Sequence, residues 1–157
     1  MEYNDDLISD FASRTLKNLD FVQQQVRNGN KDLYDVTQLW NSLLGLIVLP
    51  LETDKSRIPA TSMADLESQG WPRLTKNTRD HESLHNLVNH LRNAVAHANV
   101  RFIPRSRSDR QIKSVELWNE HPPGNVRWSG QATVEELDRF VRLIAVLYRD
   151  TYAETAA

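Results

Sequence analysis

Arg92, Asn93 and His97 are the residues whose types and spacing best suit chemistry on a phosphate. Arginine is permanently charged, and its guanidinium presents a fork of donors that matches phosphate oxygens. Histidine titrates near neutrality, so it can take or give a proton at working pH. Metal-free cleavage of RNA needs both parts. One group must help a 2′-hydroxyl attack its own phosphate, and another must stabilise the charge that builds on the phosphoryl oxygens. Arg92 and His97 are five positions apart, so their Cβ atoms are not stacked as i,i+4 partners are. Their side chains are nevertheless long enough to converge on one anion near a helix end.

The surroundings supply further candidates. Arg101, Arg105, Arg107, Arg110 and Lys113 follow the motif, opposed only by Asp109. They form either a solvated loop or a phosphate-attracting rim that would contact RNA. The chain as a whole carries a net charge of −2, from 19 Lys+Arg against 21 Asp+Glu, less basic than proteins that bind nucleic acid mainly by neutralising phosphate. His81 and His85 have the four-residue spacing of a helical zinc pair, but the same helix offers no Asp, Glu or Cys as a third ligand on that face. No metal and no other cofactor is expected. Cysteine is absent, which removes disulfides, thiolate metal sites and cysteine nucleophiles and suits a reducing cytosol.

These residues need elements to position them. Residues 5–27 carry Ile8, Phe11, Ala12, Leu19, Val22 and Val26 in one apolar stripe, predicting a helix ended by Asn28-Gly29-Asn30. A second helix is predicted from about Asp32 to Val48, limited by Pro50, and the short turn makes the two antiparallel neighbours. Residues 50–77 are irregular, with a short helix starting at Ser62 or Ala64, and read as a mobile or lid-like segment. A third helix is expected over Thr78–His97, capped by Asn77 or Thr78, with Asp80 and Glu82 in its first turn. On a helical wheel, Leu84, Leu87, Val88, Leu91, Ala94, Val95 and Ala98 face the core. The opposite arc holds His81, His85, Asn86, Asn89, His90, Arg92, Asn93 and His97. A merely solvated face more often carries Lys and Glu, because Asn and His are weaker helix formers.

Val100–Ile103, Ile112–Asn119 and Arg127-Trp128 are β-rich, with a turn at 121–125. Trp118 and Trp128 could stack bases but suit the core of a small sheet better. Thr133-Val134-Glu135-Glu136 is a capping box opening a last helix with Leu137, Phe140, Val141, Ile144, Leu147 and Tyr148 as its stripe. The expected fold is mainly α: an antiparallel bundle of four to five helices in a single domain over residues 1–157, with a small β-hairpin inserted before the last helix. The acidic Met1–Asp6 stretch lacks the features of a signal peptide, and the apolar run 43–51 is too short to span a bilayer. A cytoplasmic protein with no membrane partner is expected.

Arg92-Asn93-x-x-x-His97 resembles the Arg-polar-x(3)-His motif of the HEPN superfamily, and residues 87–99 are similar to that family's motif helix. The block Val36–Pro50 is similar to the second helix of a plasmid-encoded HEPN subfamily, and the hairpin with Trp128 and the capped last helix also fit it. The resemblance implies a helical-bundle ribonuclease acting without metal, as a homodimer in which two motif helices build one cleft. By position, Arg92 would bind the scissile phosphate, Asn93 would orient it or the histidine, and His97 would transfer protons. The expected products are 2′,3′-cyclic phosphate and 5′-hydroxyl ends, in a toxin–antitoxin or phage-defence setting with an antitoxin or other protein partner. Thr37 and Asn41 could reach the cleft or cap a polar contact. Two other readings stay open: a non-catalytic HEPN module that binds RNA, a nucleotide or a protein, and a purely structural helical dimer with an antitoxin-like role.

Overall fold

The computed structural model describes residues 6–78, 82–106 and 111–155. Their elements are α1 (Leu7–Arg27), α2 (Asp35–Thr53), a 3-10 turn over Lys55–Arg57, α3 (Met63–Ser68), β1 (Thr75–Thr78), α4 (Leu84–Ala96), β2 (Val100–Pro104), β3 (Ile112–Glu120), β4 (Val126–Thr133) and α5 (Val134–Thr155). The described residues are thus mainly helical, with one antiparallel sheet. They divide into two units. Met1–Arg57 with Phe140–Ala157 form the first and Ile58–Arg139 the second, so α5 begins in the second and continues into the first.

In the first unit, α1 starts on Asp6, whose Oδ1 accepts from the N–H groups of Ile8 at 3.1 Å and Ser9 at 3.5 Å. The buried Asp6 also places Oδ2 2.9 Å from Arg57 Nη2, so one carboxylate serves as helix cap and ion-pair partner. The helix ends as expected. The Gly29 N–H donates to Val26 O and the Asn30 N–H to Gln25 O, while Gly29 takes the left-handed conformation at φ +88°. Helix α2 runs past its predicted stop. Pro50 lies inside it, buried with Leu46, Ile47 and Leu51. Proline forfeits one bond, to the carbonyl four residues back. Burial of its ring and of Leu51 offsets that loss. The helix closes one turn later, where the Asp54 N–H donates to Pro50 O at 2.9 Å. Arg142 of α5 pairs with Asp20 of α1 at 2.6 Å, and Tyr148 is buried, which pushes its phenol above the ordinary range and keeps it neutral.

The second unit carries the motif. Residues 58–74 are not a lid: Ile58, Met63, Leu66, Trp71 and Leu74 are all buried. Their apolar spacing follows neither helix nor strand periodicity, so the packing could not be read from pattern. Ser62 caps α3, accepting from the Asp65 N–H. The expected helix over Thr78–His97 also starts later. Thr75–Thr78 pair with β4 in place of entering the helix, with Thr75 opposite Gly130 and Thr78 opposite Trp128. Helix α4 begins after Ser83, whose Oγ accepts from the Asn86 N–H at 3.2 Å, and the Leu84 N–H donates to Thr61 O at 2.9 Å. Asp80 lies outside the described residues, and Glu82 precedes the cap.

The sheet is more than a hairpin. Its order is β1-β4-β3-β2, antiparallel throughout, because β1 comes from before α4. Side chains alternate along β3 and β4, so Val115, Leu117 and Asn119 share a face with Trp128, Gly130 and Ala132, and α4 packs on β3. Gly130 is needed there, since a Cβ would lie 2.8 Å from the Trp128 ring. The Trp128 side chain is fully buried; its Nε1–H donates to Thr75 Oγ1 at 3.1 Å and reaches Glu82 Oε1 at 3.4 Å, and the Thr75 hydroxyl donates to the same carboxylate.

His90 stacks on Trp128, with ring centroids 5.1 Å apart and planes 5° from parallel. This corrects its predicted place on a uniform polar arc: His90 sits at the edge of that arc, where the sheet claims it. Asn119 Nδ2 donates to His90 O at 2.9 Å and lies 3.2 Å from His90 Nδ1. Helix α5 opens on the predicted capping box, with the Thr133 N–H donating to Glu136 Oε2 at 2.8 Å and the Glu136 N–H to Thr133 Oγ1 at 3.1 Å.

His90 is therefore a structural histidine. His90→Ala removes a stacked ring and the ring nitrogen beside Asn119, leaving the amide only the backbone carbonyl of residue 90, and should cost about 1–3 kcal/mol in denaturant unfolding. Unchanged stability would show that the stack contributes nothing.

Candidate active site on the motif helix

Helix α4 buries Leu84, Leu87, Val88, Leu91 and Ala94 on one face. That burial fixes the rotation of the helix, leaving Arg92 exposed and Asn93 half-buried on the other side. Arg92 Nη1 donates to Asn93 Oδ1 at 3.2 Å, so the two motif neighbours meet. The amide oxygen thereby helps to orient the guanidinium.

His97 is held differently. It is the C-cap of α4, and its N–H donates to Asn93 O at 3.1 Å. The next two residues close the helix: the Ala98 N–H donates to Val95 O at 3.0 Å and the Asn99 N–H to Ala94 O at 2.8 Å. This is a Schellman motif, and its left-handed position is occupied by Ala98 at φ 56°. Ala98 is exposed and lies outside the helix, which corrects its predicted place on the core arc. The reversal feeds directly into β2, and the Asn99 carbonyl accepts from the Trp118 N–H at 3.1 Å. The His97 backbone is thus anchored by α4 on one side and by the sheet on the other, while its imidazole is exposed. Among the described residues no hydrogen bond links that imidazole to Arg92 or Asn93.

The other sequence-predicted residues are scattered. Arg101 on β2 faces Glu116 on β3 and is ion-paired with it, Nε lying 3.0 Å from Oε2, so much of its charge is answered within the sheet. Arg105 is exposed just after β2, its N–H donating to Gln111 O at 2.8 Å, and Lys113 is exposed on β3. Arg107 and Arg110 lie outside the described residues, as does His81. Among the described residues no cluster of three or more His, Asp or Glu could hold a metal ion. Thr37 and Asn41 are exposed on α2, in the first unit. Trp118 is half-buried and Trp128 is core. Sequence reasoning missed the partner of His85. Asn89 Nδ2 donates to His85 O at 3.0 Å and lies 3.2 Å from its Nδ1, and the i,i+4 spacing was the available signal.

The arrangement offers an oriented cation and an accessible imidazole on one helix, which suits a polyanionic ligand. Ala98 in the left-handed region is strained by about 1–2 kcal/mol, part of which glycine would give back as unfolded-chain entropy. Ala98→Gly should stabilise by about 0.5–1 kcal/mol and raise Tm by roughly 1–4 °C in a thermal melt. A lower Tm would contradict the assigned cap.

No helix among the described residues is long and apolar enough to cross a membrane. No curated protein and no solved structure matches the chain. The family described as HEPN pEK499 p136 does match, over residues 1–155, a span that takes in both units and the whole of Arg92–His97. The chain therefore belongs to the HEPN pEK499 p136 family.

Proposed function

We propose that the protein is a metal-independent endoribonuclease of the cytoplasm, built as a HEPN-type helical bundle and acting in a toxin–antitoxin or phage-defence setting. The observation that carries this reading is the presentation of Arg92, already oriented by Asn93, and of His97 at the anchored end of the same helix. Arg92 binds the scissile phosphate, and Asn93 holds the guanidinium in place. His97 accepts the proton of the 2′-hydroxyl as that oxygen attacks the adjoining phosphorus. The bond from phosphorus to the 5′-oxygen breaks, and the leaving oxygen takes a proton from a second His97 contributed by another copy of the chain. The products are a 2′,3′-cyclic phosphate and a 5′-hydroxyl, and no redox or metal step is needed. Arg105 adds positive charge just after β2, and Arg101 contributes less because Glu116 pairs with it; the expected roles of Arg107 and Arg110 fall outside the described residues.

The mechanism is tested on the full chain with short single-stranded RNAs. Cleavage should persist in EDTA and fail on DNA and on 2′-O-methyl RNA, since both lack the nucleophile. His97→Ala should slow cleavage by about 10²–10⁴-fold, and Arg92→Ala by about 10²–10³-fold. Both residues are exposed or capping, so circular dichroism should remain helical. Intact protein that binds RNA yet gives no cyclic-phosphate ends would make it a binding module instead.

The shared cleft requires a second copy. The exposed stripe of α4 is poor in Lys and Glu, as surface near an interface core is, and a two-fold dimer with α4 near the axis, its stripe lining the shared cleft, is expected. Sedimentation should give a dimer at micromolar concentrations, and mixing His97→Ala chains into wild type should lower activity, because a mixed dimer holds only one His97. A strict monomer that still cleaves would overturn the composite cleft and, with it, the second His97 as the acid.

A further inference from the structure

The exposed side of α4 carries a second hydrogen-bonding pair that the cleavage scheme does not use. Asn89 Nδ2 donates to the His85 carbonyl at 3.0 Å and lies 3.2 Å from His85 Nδ1. The amide nitrogen has two protons, one for each acceptor. His85 Nδ1 is then the acceptor, and the ring proton sits on Nε2. Asn89 thus sets both the orientation and the tautomer of the ring. Two groups are left over, the His85 Nε2–H as a donor and Asn89 Oδ1 as an acceptor, and among the described residues neither takes a partner. Both side chains are half-buried, so the pair is held in place and still reachable.

Position relates this pair to the nuclease centre. Residues 85, 89, 92 and 96 recur at steps of four, three and four, which is one stripe along a helix. At about 1.5 Å rise per residue, Asn89 stands roughly 4.5 Å and His85 roughly 10.5 Å from Arg92 along the axis. A nucleotide beside the one whose phosphate Arg92 holds falls in that range. The chemistry then selects the part of the nucleotide. Phosphate offers acceptors only and would be repelled by Asn89 Oδ1. The edge of an unpaired base offers a donor next to an acceptor, the complement of what His85 and Asn89 present.

We propose that His85 and Asn89 form a base-reading subsite for single-stranded RNA, flanking the Arg92–His97 centre. The proposal rests on the ribonuclease reading for its substrate, and the two fail differently. The pair reads a base edge by hydrogen bonds and holds no phosphate, so it adds sequence preference and no salt dependence.

The test measures binding of short 2′-O-methyl RNAs, which cannot be cleaved, with each position varied through the four bases. The wild-type full chain should prefer one base at one position by about tenfold, within the range of a two-bond base contact. His85→Ala should erase that preference and leave the salt slope unchanged. His85→Gln keeps an amide N–H at a similar reach and should retain part of it. Asn89→Asp replaces the donor with an acceptor, moves the ring proton to Nδ1 and should erase the preference in a protein of unchanged shape. Arg92→Ala should instead weaken all sequences alike and flatten the salt slope. The subsite is overturned if wild type shows no base preference, or if His85→Ala weakens every sequence equally. Base-selective binding lost in His85→Ala, without cleavage of the matching unmodified RNA, would keep the subsite and overturn the nuclease reading.

Discussion

The packing of α4 on the sheet, centred on Trp128, is the contact on which the motif depends. A fully buried indole needs a partner for its N–H, and the Thr75 hydroxyl and Glu82 carboxylate provide it. Those two residues come from the strand and the loop just before α4, while the His90 ring that stacks on the indole comes from α4 itself. One side chain therefore ties β4 to β1, to the entry of the motif helix and to its middle. Asn119 adds a second link by bonding the His90 backbone and ring. With the sheet holding one edge of α4 and the buried leucines fixing its rotation, the polar stripe has a single direction in which to face.

Helix α4, with its C-cap, carries His85, His90 and His97. Its histidines divide by environment. His90 belongs to the fold, His85 is held by Asn89, and His97 is a cap whose backbone is anchored and whose ring is not. The same residue type thus sits in three different settings within a few turns, and only neighbours distinguish them. The arginines divide likewise. Arg92 has an amide oxygen beside it, whereas Arg101 has a carboxylate opposite it across the strand pair.

Termini receive unequal treatment along the chain. The α1, α3, α4 and α5 starts each have a side-chain cap, by Asp6, Ser62, Ser83 and the Thr133–Glu136 box. Glycine takes the left-handed position after α1, but alanine does so after α4, directly behind His97. That exception stores local strain directly behind His97.

Local chemistry made much of this visible in the sequence. The α1 stripe and its Gly29 stop, the box at Thr133–Glu136, the buried face Leu84–Ala94 and the motif Arg92-Asn93-x-x-x-His97 all rest on contacts between residues close in the chain, so spacing alone reveals them. What tertiary structure decided involves partners far apart. Thr75–Thr78 became a strand because β4 offered an edge, and α4 accordingly began at Leu84 rather than Thr78. Pro50 stayed inside a helix because its ring could be buried, and the irregular run 58–74 ordered because its apolar residues found a core. His90 left the polar arc because Trp128, 38 positions on in the sequence, gave it a ring to stack on. Local rules set which conformations each segment can adopt, and burial against distant residues chose among them.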